Sequence, residues 1–366
     1  MIPIYKPYLK KYKESAINAI NEEWISNHGI YVKLASDELS RIFNIKHVIL
    51  MNNGTSATQC LYISLKYKYP HLKKIYVPNN VFIAAWNCGL HIYDKTLFEV
   101  MKTNQETLNI DTSEEYILSL DKDSAIMIVH NLGNIVNVPR LKKIRPDLIF
   151  IEDNCEGFFG KYEDNYSGTE SLCSSVSFYG NKTFTSGEGG AFMTNDTELY
   201  KYINKYYSHG MTDKRYIHDV LGNNYRMTNV SAALLYDQLL DYEHILNIKT
   251  EIFTYYEKYL NENISKKNII LLKKEKKTIS SKWIFHIIIP SINFQEFENY
   301  MSEKNIQIRP FFYSINTHPH LIDIKNPHSN EFNENITNCG VMLPSYPELN
   351  KQNIKYICLC INDYLL

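Results

Sequence analysis

The sequence predicts an α/β protein. A large domain is built on a mostly parallel sheet with helices on both faces, and a smaller C-terminal α/β domain follows. Three observations lead there. Over roughly the first 210 residues, short apolar runs rich in β-branched residues alternate with helical stretches. Near residue 228 the alternation gives way to one long helical run, and beyond about 245 strand and helix patterns resume as a separate group. At 366 residues, 44% hydrophobic and 22% charged, the chain has material for one large core and a second, smaller one.

Taken in order, HVILM (47–51), KIYVP (74–78), AIMIVH (125–130) and DLIFIED (147–153) read as buried strands, each closed by polar, Gly or Pro-containing residues. Helices are expected at 55–67, after the Gly54-Thr55 turn, and at 82–90 and 138–145. SSVSF and GGAFMTN add two strands around a glycine-rich turn. TNVSAALLYDQLLDYEHIL opens on Thr228 as N-cap and reads as one long helix. WIFHIIIP (283–290) reads as a strand. A helix follows from Asn293, with Phe294, Phe297, Tyr300 and Met301 on one face. IQIRPFF (306–312) is a further strand and 351–364 a terminal helix. The domains are expected at 1–245 and 246–366.

Composition removes several classes. The net charge is −1 and the pI about 6.9, so no global basic field points to nucleic acid. The lysine run KKEKK (273–277) reads as a solvated turn. The N-terminal stretch MIPIYKPYLKKYKES lacks the apolar core of a signal peptide, and no stretch approaches the roughly 18 apolar residues of a membrane span. The seven cysteines are odd in number and scattered; Cys358 and Cys360 are too close for a CxxC ligand pair. A cytoplasmic protein with reduced thiols, no metal site and no membrane or nucleic-acid partner is expected. Matches to N-x-S/T are read as coincidences of an Asn-rich chain.

Four local features carry chemistry. NGTSA (53–57) follows a strand directly; a Gly turn with hydroxyl residues opening a helix presents free N–H groups and the positive end of the dipole, a phosphate site. Alone it is also an ordinary strand-to-helix turn, and it is neither a Walker A sequence nor GxGxxG. Asp153 ends an apolar strand, at the edge where such sheets bind ligands; alone it is equally a helix N-cap. Ser177-Phe178-Tyr179-Gly180-Asn181-Lys182 places a lysine between a strand end and a Gly-rich turn, TSGEGGAFMTND (185–196). Glycines at 187, 189 and 190 let backbone approach something closely. Together the four match the needs of pyridoxal 5'-phosphate (PLP): donors for the phosphate, an anion for the pyridine nitrogen and an amine for the aldehyde.

With these residues in view, the chain resembles the sugar-nucleotide aminotransferases of the DegT/DnrJ/EryC1/StrS group. The resemblance runs over almost its whole length, from IPIYKPYL (2–9) and WISNHGIYV (24–32) through NGTSA, VPNNVFIAAWN (77–87), HNLGN (130–134) and IEDNCEG (151–157). It continues with SFYGNKTFTSGEGGAFMTND (177–196), SHGM (208–211), GNNYRMTNVSAAL (222–234), RPFFY (309–313) and LPSYP (343–347). It implies the aspartate-aminotransferase-like architecture, PLP fold type I.

It also implies roles by position. Lys182 would hold PLP as a Schiff base and shuttle the proton, with pyridoxamine 5'-phosphate as the form between half-reactions. Asp153 would pair with the pyridine nitrogen, Glu156 would lie near the ring hydroxyl, and Phe82 would stack on the ring. Thr55, Ser56 and Ser177 would hold the phosphate. Asn224 matches an Asn that reaches the phosphate from a neighbouring subunit, which implies a homodimer with shared active sites. Ser26, His28 and Arg309 fall in segments that border the sugar site in relatives; for His28 a loop histidine without a ligand is an equal reading. Departures are small: IEDNCEG replaces a more Ala-rich version, and Phe82 stands where many relatives have Tyr or Trp. Members that dehydrate their substrate carry His at the lysine position; this chain keeps Lys182, which favours transamination.

The implied reaction takes an amino group from L-glutamate to carbon 4 of a nucleotide-linked 4-keto-6-deoxyhexose, as in viosamine and perosamine synthesis. Amination at carbon 3 is the near alternative, and the nucleotide, UDP, dTDP or GDP, is left open. A desulfurase would want a catalytic cysteine on a mobile loop, and Cys339 alone lacks that context. A catalytically silent homologue acting as a regulator would be expected to have lost Lys182 or Asp153, and a non-catalytic sugar-nucleotide-binding homologue would show no aldimine absorbance.

Overall fold

The computed structural model describes residues 1–366. Seven strands form the main sheet: β1 (His47–Met51), β2 (Lys74–Val77), β3 (Phe98–Val100), β4 (Ser124–Val129), β5 (Ile149–Asp153), β6 (Ser174–Ser177) and β7 (Gly190–Thr194). Their order is β1-β7-β6-β5-β4-β2-β3, and only β7 runs against its neighbours. This is the mostly parallel sheet that the alternation predicted.

Both faces are covered, and the period-two alternation of the strands shows how. In β1, Ile49 and Met51 join the core with helix Gly54–Lys68, while Val48 and Leu50 face helices Ile30–Phe43 and Asn229–Leu239 on the other side. In the middle of the sheet Met127 and Ile151 point one way. Ile126, Ile128 and Phe150 point the other, onto Val138 and Leu141 of helix Val138–Ile144.

Register positions the site. Met51 of β1 and Ser177 of β6 both pair with Gly190, the first residue of β7, and Asp153 pairs with Val129 and Ser175. The ends of β1, β5 and β6 therefore come together with the start of β7. Gly190 is required there: a Cβ would lie 2.4 Å from Asn53 O and 2.9 Å from Gly54 N. The crowding expected of the glycine-rich turn is against the NGTSA turn itself.

The smaller unit is a three-stranded antiparallel sheet of β8 (Phe285–Ile288), β9 (Arg309–Pro310) and β10 (Gly340–Leu343), in the order β8-β10-β9. Helices Tyr242–Ser265, Phe294–Glu303 and Lys351–Tyr364 pack on it through Tyr256, Phe297, Met301 and Ile357. The N-terminal residues join this unit, since Ile2 bridges to Ile306 and Ile4 N–H donates to Gln307. The proposed division at 245/246 falls inside the Tyr242–Ser265 helix.

Two expectations need correction. The helix capped by Thr228 is not continuous: it ends at Leu239, and Asp241 leaves helical geometry (φ −124°, ψ 28°) with its carboxylate taking the Tyr12 hydroxyl at 2.8 Å. A short acidic side chain with an outside partner breaks the run. The strand at 306–312 shrinks to Arg309–Pro310, because its start turns to the N-terminus instead: Ile306 bridges to Ile2 and Gln307 N–H donates to Ile2 O at 2.9 Å. Helices Glu14–Asn21 and Ile30–Phe43 and the edge strand β3 were not expected. No helix is long and apolar enough to cross a membrane.

Candidate active site

A cleft of about 750 Å³ opens where the strand ends meet the smaller unit. Thr55, Phe82, Asp153, Glu156, Ser177, Lys182 and Arg309 all line it. The parallel strands deliver their carboxyl ends to this edge, as open α/β sheets do.

At one side lies the start of helix Gly54–Lys68. Asn53 caps it by accepting from Ser56 N–H at 2.8 Å, and Ser56 Oγ lies 3.0 Å from the same oxygen. Ser56 is thus turned to its own cap and lies outside the cleft lining, whereas Thr55 is exposed to the cleft. Gly54 lets this turn seat on β6, since a Cβ there would lie 2.6 Å from Ser177 Cβ. Ser177 Oγ accepts from Tyr179 N–H at 3.3 Å, which leaves its own proton to donate. A helix N-terminus with two hydroxyls beside it suits a phosphate group.

Asp153 is buried at the end of β5. Its Oδ1 takes only the Cys155 N–H, at 3.1 Å, and the carboxylate forms no ion pair within the protein. A buried anion without a protein cation, facing a cleft, fits a protonated ring nitrogen. Phe82 is 55% exposed and meets Phe312 edge-on at 6.1 Å, so one ring face is free for stacking. Glu156 accepts the Leu132 N–H at 2.8 Å; burial pushes its carboxyl up to about 7, with Lys182 opposing the rise. Near neutrality it exists in both protonation states and can share a proton with a phenolic oxygen. Lys182 follows β6 by five residues, and its Nζ lies 4.0 Å from the centroid of the Trp283 ring. The residues present fit PLP.

Ser26, His28 and Asn224 do not line the cleft of their own chain. Asn224 is exposed in a bridge to Ser208, and its Oδ1 accepts from Arg226 Nε at 2.9 Å. Arg309 does line it, flanked by the Tyr5 ring at 5.4 Å. Cys339 is outside, at the end of helix Glu331–Cys339. The seven cysteines are unpaired. Sequence reasoning missed Trp283, His318, Tyr313 and Cys155, all in the cleft wall. Trp283 had a signal, an indole heading an apolar strand, but was read only as the strand's first residue.

Known proteins resemble the chain over its whole length. The GDP-perosamine synthase of Escherichia coli O157:H7 is 30% identical over 369 residues, covering 99% of this chain and 98% of its own length. The GDP-perosamine synthase of Vibrio cholerae is 28% identical over 375 residues, covering 100% and 99%. The E. coli GDP-4-keto-6-deoxy-D-mannose-3-dehydratase structure with bound hydrated PLP superposes with a TM-score of 0.87 at 20% identity, covering 98% of this chain and 99% of that one. The model of the DegT/DnrJ/EryC1/StrS aminotransferase family matches residues 8–362, and with that match on top of the cleft the chain belongs to this family.

Proposed function

We propose that the protein is a PLP-dependent sugar-nucleotide aminotransferase that moves the amino group of L-glutamate to carbon 4 of a nucleotide-linked 4-keto-6-deoxyhexose. The observation that carries it is one cleft holding an amine, Lys182, an unpaired buried carboxylate, Asp153, and the open N-terminus of a helix. GDP is favoured as the nucleotide by the names of two relatives that match over the whole chain.

The chain's residues divide the work. Thr55, Ser177 and the N–H groups at the helix start hold the cofactor phosphate, and Ser56 supports them through the Asn53 cap. Phe82 packs on one ring face. Asp153 keeps the ring nitrogen protonated, and Glu156 shares a proton with the ring hydroxyl. Bound there, PLP supplies a cationic ring that stabilises negative charge on the carbon beside the transferred nitrogen. Lys182 would hold the cofactor covalently at rest; once freed, its amine would move the donor's α-proton to the cofactor carbon beside the nitrogen and, in the second half-reaction, a proton from that carbon to the sugar carbon. Arg309, a guanidinium without an ion pair, offers an anion site to the substrates, with Ser26 and His28 as further sugar contacts. Asn224 serves the cleft of a second copy, so the working unit is a cytoplasmic homodimer. Lys182 itself favours amination over dehydration.

The test is spectroscopic. The protein loaded with PLP should absorb in the visible range, lose that band with glutamate, and regain it with a GDP-linked 4-keto-6-deoxyhexose but not with the 3-keto isomer. A protein that shows no band, or a Lys182→Ala variant with an unchanged one, refutes the assignment. Recovery with the UDP- or dTDP-linked sugar instead would move the nucleotide and leave the chemistry.

A further inference from the structure

Lys182 is held from behind by a residue of the smaller unit. Trp283, two residues before β8 and nearly buried, turns its ring face to Lys182 Nζ at 4.0 Å from the centroid, within cation–π reach. The same indole donates its Nε1–H to Asn181 O at 3.0 Å, the carbonyl of the peptide that joins Asn181 to Lys182. Its main chain is tied on both sides. The Trp283 N–H donates to Ser281 Oγ at 3.3 Å, and that hydroxyl donates to Glu156 O at 2.6 Å. Trp283 O accepts from the buried amine of Lys249 at 2.9 Å. Gly133 (φ +82°) makes room for the arrangement, since a Cβ there would lie 2.3 Å from Ser281 Oγ.

We propose that Trp283 is the positioning residue of Lys182: its indole face receives the lysine's ammonium whenever that nitrogen is not bonded to the cofactor, and its N–H fixes the loop that carries it. The proposal rests on the reading of Lys182 as the cofactor lysine. A ring quadrupole attracts the charged amine and not the neutral one. The indole therefore holds the charged amine in one place during the part of the cycle in which it carries the proton. Lys6, paired with Glu348 at 2.6 Å, Lys249, whose amine burial pushes down to about 7, and Arg309 line the small cavity that Lys182 and Trp283 share, so on that side the ring is the group that attracts a charged amine. Toward the cleft, Lys182 opposes the rise of the Glu156 carboxyl, and Asp153 lines the same wall.

The test is trace acetylation of Lys182 in the full-length protein freed of cofactor, with acetic anhydride near neutral pH, read by mass spectrometry of the Lys182 peptide. Only the neutral amine reacts. Trp283→Leu should be acetylated about tenfold faster than the wild type, and Trp283→Phe, which keeps a ring, within about threefold. Equal rates in all three, with unchanged circular dichroism, overturn the proposal. Should Trp283→Leu not fold, the pH titration of indole fluorescence decides. A step present in the wild type and missing in Lys182→Met supports the contact, and identical titrations overturn it. Uptake of PLP is followed separately, so its failure refutes the reading of the site and failure of the acetylation contrast refutes the role of Trp283.

Discussion

Replacing Glu156 with Gln tests the electrostatics of the site without touching its shape. Glu156 is buried, keeps one hydrogen bond from Leu132 N–H, and burial pushes its carboxyl from the usual 4.5 up to about 7. Between those two values the folded protein holds a proton that the unfolded chain has lost. Stability therefore falls as pH rises from about 4.5 to about 7 and is flat above, because the folded state then carries the buried charge. At about 1.4 kcal/mol for each tenfold change in proton affinity, the penalty at pH 8 is on the order of 3 kcal/mol. Glutamine keeps an oxygen for the Leu132 N–H and never ionises. Urea unfolding of cofactor-free wild type and Glu156→Gln at about pH 5 and pH 8 should show the variant gaining about 2–3 kcal/mol on the wild type between the two. Any constant cost of the amide cancels in that comparison. A difference between the proteins that stays the same at both pH values would show that the carboxyl is ionised throughout, and the argument would fail. Lys182→Ala removes the cation that opposes the rise, so it should move the stability loss to higher pH.

Three further outcomes are expected. Lys182→Ala should bind PLP without the visible band of the lysine-bound cofactor and lose at least about 10³-fold in turnover; a variant with wild-type absorbance contradicts this. Gly190→Ala forces a Cβ to within 2.4 Å of Asn53 O, so the phosphate turn must shift and PLP affinity should fall on the order of tenfold with the fold retained. Titration with PLP followed by absorbance measures it, and unchanged affinity refutes it. His130→Ala removes the Nε2–H donor, 2.9 Å away, from the fully buried Glu152, whose remaining donors are Gly168 N–H and the Tyr162 hydroxyl. It should cost about 3 kcal/mol in urea unfolding, and a cost below about 1 kcal/mol would show that water or those donors replace the imidazole.

What could be read from the sequence divides along the distance over which each signal acts. The Asn53-Gly54-Thr55 turn, the strand-end Asp153 and the Ser177-to-Lys182 loop are each a few residues long, and each announces a local geometry: a helix start, a sheet edge, a strand end. Their meeting in one cleft followed from strand order, which short parallel connections constrain strongly. Glu156 and Phe82 were placed by resemblance, and both line the same cleft. The break at Asp241 was not legible, because it depends on Tyr12, far away in the chain. Helices Glu14–Asn21 and Ile30–Phe43 were passed over although their buried faces, Ala16 and Ala19 in one and Ala35, Leu39 and Phe43 in the other, follow the helical period; small alanines make such a stripe faint.

The same reasoning explains why Trp283 escaped notice and why Ser26, His28 and Asn224 stand apart. Trp283 acts only through a contact between two units that no local pattern encodes; its neighbours in sequence, Ile284 and Phe285, describe a strand and nothing more. Ser26 O accepts the N–H of Asn229, and Asn224 bridges to Ser208 with its O accepting from Asn52 Nδ2 at 3.5 Å, so neither side chain reaches the cleft lining. Around them Trp24, Ile25, Tyr216 and Leu221 leave large apolar side chains exposed, 95% in the case of Leu221. A residue that serves a neighbouring copy's cleft has to lie on such a surface, outside the cleft of its own chain. A protein that sediments as a monomer at working concentration yet turns over at full rate would remove Asn224 from the phosphate site.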